Sequence, residues 1–232
     1  MILFSCIFLL IIFLVISNII RETKLLEKEK KLLETVTKSD RGTATERNLV
    51  LKLLKAGIPA QTIFHDLYIK TYSNHYSQID LVVATKVGIL VFEVKKYSGW
   101  IFGTGYQPRW TQVLAYGKTK YQFYNPIMQN NKHIVDLRRQ LGQFENIPFY
   151  SIVIFYGDCI FKNVSYIPDG TFLVKSRRVF EIIKNIIENN RPAPYTNKSE
   201  IVRVLKQAVK NGESKEIQYR HIENIKSMLS KN

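Results

Sequence analysis

Several things are scarce in this 232-residue chain, and each scarcity excludes something. There are only two cysteines, Cys6 and Cys159. Cys6 lies in an apolar run and Cys159 follows a predicted strand, so no disulfide framework is implied and a reducing compartment fits the soluble part. His65, His75 and His133 are scattered without ligand-like spacing, which argues against a zinc site. Gly99, Gly103 and Gly105 match neither a phosphate-binding loop nor a dinucleotide fingerprint. There is no internal repeat. Acidic residues are outnumbered, with Asp+Glu 19 against Lys+Arg 34 and a formal charge of +15. That excess points to an anionic partner, nucleic acid or an acidic membrane surface; the competing reading is solubility alone.

Charge is absent altogether from residues 2–20, which are dominated by Ile, Leu, Phe and Val. At the helical rise, this run spans roughly 28 Å, close to a bilayer core. No positive n-region precedes it and Ser17-Asn18-Ile19-Ile20 is a poor cleavage site, so a retained helix is expected rather than a signal peptide. Arg21, Lys24, Lys28, Lys30, Lys31 and Lys38 follow. By the positive-inside rule they put the N-terminus outside and the rest in the cytoplasm, giving a single-pass protein of the cell membrane. Residues 21–40 read as a charged helical stalk. Leu25, Leu26, Leu32, Leu33 and Val36 form a narrow stripe that permits a homodimer but is too short to establish a coiled coil.

The central feature is the segment QIDLVVATKVGILVFEVKK. Two apolar strands flank a turn at residues 85–88. If Ala84 pairs with Ile89, Asp80 falls opposite Glu93, with Cβ atoms roughly 5 Å apart on one face. Lys95 shares the face of Glu93 through the two-residue period. Like charges so placed repel unless a cation sits between them, so the pattern suits a divalent metal. A one-residue slip would separate the carboxylates onto opposite faces. The competing reading is a solvated strand pair in which Glu93 only bridges Lys95. Lys86-Val87 is not a favoured two-residue turn, so a looser loop with the same pairing is expected.

Around this hairpin, Thr43 and Glu46 form a capping-box pattern that opens a helix running to about residue 56. Glu46 is thus either a cap or a functional carboxylate. A strand is predicted over 61–71, a turn or bulged strand over 98–105, and a strand over 109–115. Asn125-Pro126 opens a helix carrying Gln129, His133 and Leu137 and ending near residue 142. Residues 149–156 read as a central strand, 171–174 as a short one, and 178–188 as a helix. Arg191-Pro192-Ala193-Pro194 marks a linker before two helices, 198–210 and 214–230. The order describes a mixed sheet flanked by helices.

With those residues placed, the segment from about 42 to 157 resembles the nuclease-related domain (NERD) family and, more distantly, the PD-(D/E)xK nuclease superfamily. The features that carry the resemblance are Glu46, Gln78-Ile79-Asp80, Glu93-Val94-Lys95 with nearby Gly99, and Asn125-Pro126-Ile127-Met128-Gln129. The resemblance implies an α/β fold with a restriction-endonuclease-like αβββαβ core and mixed sheet. To this are added the N-terminal transmembrane helix (1–20), the stalk (21–40) and C-terminal helices after the linker (191–232). The nuclease-like domain itself is placed at 41–190. The implied chemistry is phosphodiester hydrolysis with Mg²⁺, or Mn²⁺ in its place. Asp80 and Glu93 would be metal ligands with the Val94 carbonyl, and Glu46 would join directly, through water or through a second metal. Lys95 would orient water or stabilise negative charge, and Gln129 would position water or sit on a polar helix face. Lys96, Arg109, Lys118 and Lys120, interleaved with Tyr97, Trp100, Trp110 and Tyr121, are candidate nucleic-acid contacts, with DNA favoured over RNA. Core packing is the alternative for the two tryptophans. Two other readings stand beside the nuclease. One is a catalytically inactive module that tethers nucleic acid or a protein at the membrane. The other is a basic surface for lipid headgroups.

Overall fold

A computed structural model describes residues 2–73, 75–114, 117–142 and 146–229, with side chains described for these except 2–10 and 228–229. The first helix, α1, is continuous over Ile2–Glu34 and unites the expected apolar span and stalk. Among the described residues no helix is long and apolar enough to cross a membrane. The side chains of residues 2–10, about half of the expected span, lie outside those described.

The helix α2, Ala44–Lys55, begins where Thr43 and Glu46 complete a reciprocal capping box. The strands β1 (Ile63–Lys70), β2 (Tyr76–Thr85) and β3 (Gly88–Lys96) follow as an antiparallel meander. Then come β4 (Gly99–Thr104), β5 (Arg109–Leu114) and β6 (Thr119–Tyr124). Asn125 caps α3, Pro126–Gln140, by accepting the N–H groups of Ile127 and Met128, and Pro126 fills the position whose missing N–H costs nothing. The chain continues through β7 (Phe149–Tyr156), β8 (Cys159–Ser165), β9 (Thr171–Lys175), α4 (Val179–Asn189), α5 (Lys198–Asn211) and α6 (Lys215–Leu229).

Two sheets result. The main one has the order β1-β2-β3-β7-β9, with β7 parallel to both neighbours, so it is mixed and β7 is internal, as its apolar run requires. The smaller one has the order β6-β5-β4-β8. The expected helix-strand order is therefore present as α2-β1-β2-β3-α3-β7, with β4, β5 and β6 inserted. Neither β6 nor β8 is predicted from the sequence. The first is an exposed edge without apolar alternation, and the second interleaves Lys162 and Asn163.

Three apolar clusters hold the layers together. Leu49, Val50 and Leu53 of α2 and Val179, Ile183 and Ile186 of α4 cover one face of the main sheet. Leu137 of α3 and Ile201 and Leu205 of α5 cover the other. Ile101 and Trp110 of the small sheet pack on Ile127, Val153 and Phe155. The turn between β2 and β3 is tighter than predicted: Thr85 pairs with Gly88, leaving Lys86-Val87 as a two-residue loop. The reason is local. Thr85 Oγ1 accepts the Val87 N–H at 3.3 Å and donates to the Gly88 carbonyl at 2.8 Å, while Val87 is buried. Gly88 adopts φ 145°, and a Cβ there would strike the Pro148 carbonyl.

The helix α5 follows the linker yet belongs to the core, since Leu205 is fully buried. Leu205→Ala should therefore cost about 2–5 kcal/mol of stability in a denaturant titration. A loss below about 1 kcal/mol would show that α5 is an appendage.

Candidate active site

The register of β2 and β3 pairs Ala84 with Ile89 and runs to Leu81 with Phe92. One step further, Asp80 stands opposite Glu93. Backbone pairing stops there, and Asp80 Oδ2 instead accepts the Val94 N–H at 2.7 Å. The ladder also opens on the other side of Asp80. His65 pairs with Leu81 and Leu67 with Ile79, but Asp66 between them is skipped and adopts a left-handed φ of 55°. Such a conformation in a non-glycine residue costs of order 1–3 kcal/mol and persists only where neighbours enforce it.

The enforcing groups are visible. Asp66 Oδ2 accepts from Arg41 Nε at 2.6 Å and Oδ1 from Gln78 Nε2 at 2.7 Å, while Arg41 Nη2 donates to the Asp66 carbonyl at 2.6 Å. Arg41 and Asp66 are both buried. Gln78 of the Gln78-Ile79-Asp80 motif thus holds the neighbouring strand rather than facing a metal.

Glu93 is buried between two partners. Lys95 Nζ lies 2.6 Å from its Oε1, and His133 Nε2 lies 3.4 Å from its Oε2. The second approach is not aligned as a hydrogen bond, so both of those buried atoms lack a hydrogen-bond partner among the described residues. His133 Nδ1 meets Ser77 Oγ at 2.9 Å. Lys95 Nζ also donates to Gln129 Oε1 at 3.1 Å. Gln129 and His133 are four residues apart and share a face of α3. Asn130 fixes that helix, donating to the Val91 carbonyl and to Ser151 Oγ, each at 2.9 Å.

Glu46 serves its capping box: Oε1 accepts from Thr43 Oγ1 at 2.7 Å and Oε2 from the Thr43 N–H at 3.2 Å. His65 Nε2 lies 3.5 Å from Oε2, and His65 Nδ1 meets Thr37 Oγ1 at 2.8 Å. Glu46 is near enough for its charge to act on Asp80. Among the described residues, however, no three His, Cys, Asp or Glu side chains converge as a metal cluster. The structure therefore brings together Asp80, Glu93, Lys95 and Gln129, and leaves Glu46 at the margin.

Electrostatics separates these groups. Burial, then the charges of Glu93 and Glu46, push the Asp80 carboxyl well above its ordinary range, against the Val94 N–H and Lys95. Burial would raise Glu93 too, but contact with His133 and the charge of Lys95 outweigh it and hold Glu93 low. Burial would lower Lys95, yet Glu93 and Asp80 raise it, so it is an ammonium at neutral pH. Two carboxylates, one of them strained by the other, with a buried acceptor oxygen lacking a hydrogen bond, fit a hard divalent cation. A donor set this small suits Mg²⁺, which keeps several waters and rarely takes an all-protein cage.

Lys96, Arg109, Lys118 and Lys120 are all exposed. Trp110 is fully buried, which assigns it to the core. Sequence reasoning missed the Arg41–Asp66 pair, for which contact across 25 residues leaves no local signal. It also missed the place of His133 beside Glu93, for which spacing from Gln129 was an available one. Arg41→Ala would strand a buried carboxylate and should destabilise the fold by about 3–5 kcal/mol in chemical denaturation. A change below about 1 kcal/mol would mean that the left-handed backbone at Asp66 is held by something else.

Comparison with known proteins places the chain in a family. The nuclease-related domain (NERD) model matches residues 41–156, which is half of the 232-residue chain. An uncharacterized protein of Bacillus anthracis is 32% identical over 125 residues, covering 54% of this chain and 57% of that protein. The chain thus spans little more than half of that relative's length. No solved structure matches significantly. The matched interval ends with β7 and contains Asp80, Glu93, Lys95, Gln129 and His133, and on this footing the chain belongs to the nuclease-related domain family.

Proposed function

We propose that this protein is a membrane-anchored, cytoplasm-facing nuclease that hydrolyses phosphodiester bonds with Mg²⁺ or Mn²⁺, DNA being favoured over RNA as substrate. The observation that carries the reading is Asp80 set opposite Glu93 at an opened rung, with Lys95 bridging from the same strand. Asp80, Glu93 and the Val94 carbonyl would hold the ion, with Glu46 at the margin. When bound, the ion would supply charge neutralisation at phosphorus and a more acidic water.

The remaining work falls to the chain. Lys95 stays protonated and stabilises negative charge developing on phosphoryl oxygens. Gln129 restrains the Lys95 ammonium through its amide oxygen. His133, seated on Ser77, backs the second oxygen of Glu93. Lys96, Arg109, Lys118 and Lys120 supply exposed cations for the nucleic-acid backbone. Anchoring rests on α1. Phe13, Leu14, Ile16, Ile19 and Ile20 are all exposed, and a helix apolar on every side needs an apolar medium. The basic residues after it favour a cytoplasmic domain.

Plasmid, linear duplex and single strands incubated with Mg²⁺, Mn²⁺ or chelator test the activity. Metal-dependent cutting should fall about 100-fold or more in both Asp80→Asn and Lys95→Ala, with circular dichroism unchanged. Absent cutting by folded protein, with chelator-insensitive binding, would make it a nuclease-fold binding module instead.

A second outcome is independent of turnover. Because burial, and after it the charge of Glu93, disfavours ionised Asp80, its folded-state pKa is raised, and the ionised group opposes folding at neutral pH. In chelator at pH 7, Asp80→Asn should raise the unfolding temperature by about 2–4 °C for each kcal/mol of desolvation and repulsion removed. Mg²⁺ should stabilise the unsubstituted protein and not the variant. Equal stabilisation of both by Mg²⁺ would remove Asp80 from the metal site.

A further inference from the structure

The small sheet has a face whose residues belong to none of the three apolar clusters and whose margins are exposed. Its register sets three rungs side by side: Ile160, Trp100, Val113 and Lys120; then Asn163, Phe102, Thr111 and Gln122; then Arg109 with Tyr124 at the end. The opposite face carries Ile101 and Trp110 and is spent on the core. Trp100 and Phe102 are part-buried, Val113 opposite Trp100 is buried, and Tyr124 and Ile160 are exposed. Aromatic rings that keep an accessible edge beside exposed ones such as Tyr124 offer a surface for a ligand.

The charge on this face is of one sign. The four strands contain no Asp or Glu, whereas Arg109, Lys120 and Lys162 are all exposed. The β4–β8 register shifts at Ile101/Phe102, and Lys162 lies with its Nζ 4.9 Å from the centroid of the Trp100 ring. Flat rings with cations beside them and no acid match a chain that carries both phosphates and stackable faces. A duplex offers phosphates but keeps its base faces stacked inside. A single strand offers both at once.

The geometry points to this outer face as a platform for single-stranded nucleic acid, with Trp100, Phe102 and Tyr124 stacking bases and Arg109, Lys120 and Lys162 meeting phosphates. The inference deepens the nuclease reading and rests on it. Trp100 is five residues from Lys95, at most about 18 Å along an extended chain, so a bound strand would lie within a few nucleotides of the carboxylate pair. The enzyme would then act on single strands, or on the unpaired ends and gaps of duplexes, in preference to intact duplex.

The two tryptophans make the test selective. Trp110 is buried with its Nε1 donating to the Thr104 carbonyl at 2.9 Å, so quenching by added strands reports on Trp100. The full chain, in detergent and with chelator to prevent cutting, is titrated with oligo-dT, with a duplex of equal length and with anionic vesicles. Oligo-dT should quench the emission, and Trp100→Phe should abolish most of that quench. Trp100→Ala should weaken single-strand binding by about 5- to 150-fold. The exposed variants Arg109→Gln and Lys120→Gln should each lower the salt-dependence slope by about 0.7, which guards against misfolding as the cause. Duplex binding as tight as single-strand binding and indifferent to Trp100 would overturn the platform, as would vesicle capture without oligo-dT quenching. Metal-dependent cutting combined with Trp100-independent binding would sink the platform alone. Trp100-dependent binding without any cutting would sink the nuclease reading alone.

Discussion

Three neighbouring strands place a carboxylate on the same rung: Asp66 on β1, Asp80 on β2 and Glu93 on β3. Everything notable about the site follows from that row of like charges. At about 5 Å and an effective dielectric near 20, each adjacent ionised pair would repel by about 3 kcal/mol. The fold answers unevenly. Asp66 is turned out of the ladder and neutralised by Arg41, and Glu93 is neutralised by Lys95. Asp80 has, among the described residues, one backbone N–H as hydrogen-bond donor and the more distant charge of Lys95. The row is therefore short of positive charge at its middle member, and that deficit is what a cation would fill.

The same row explains why the strands separate where they do. A continuous ladder would hold Asp66, Asp80 and Glu93 in flat register. Left-handed backbone at Asp66 removes one carboxylate from the face, and the Asp80–Val94 contact replaces a ladder bond with one that orients a side chain. Local strain at β1 is thus tied to the arrangement at β2 and β3 through Arg41 and Gln78. The helix α3 contributes from above, through Gln129 and His133, and its own position is fixed by Asn130.

How much of this was legible in the sequence depends on whether the cause is local. Strand alternation and the turn near Gly88 set the Asp80–Glu93 register, and side-chain caps marked the starts of α2 and α3, because those signals lie within a few residues. The Asn125 cap was readable from the sequence as Asn-Pro alone. The role of Glu46 was readable as an alternative, and its bonds to Thr43 show the capping half of it in place. The small sheet was read only in part, since β6 is an edge whose residues face water and β8 pairs with β4 from far along the chain. Arg41, Asp66 and the packing of α5 on the main sheet are tertiary facts. No periodicity encodes a bond between residues 41 and 66, or the meeting of Leu205 with β1.

The junction of α1 with the domain bears on how the proposed anchor would act. The stripe expected to permit self-association is partly used within the chain. Leu33 and Val36 pack against the cluster that includes α2, and Lys55 pairs with Glu29, while Leu25 and Leu26 remain exposed. The helix is therefore docked at its C-terminal end rather than joined by a loose linker. From Ile20 to Glu34 the helix advances only about 21 Å. With residues 2–20 in a bilayer, the carboxylate row would be held within a short, stiff reach of the membrane surface. A site so placed would meet nucleic acid at the membrane in preference to nucleic acid deep in the cell. Under the proposed function, the face of rings and cations on the small sheet would serve capture at that boundary, while the opened rung of β2 and β3 would serve the chemistry.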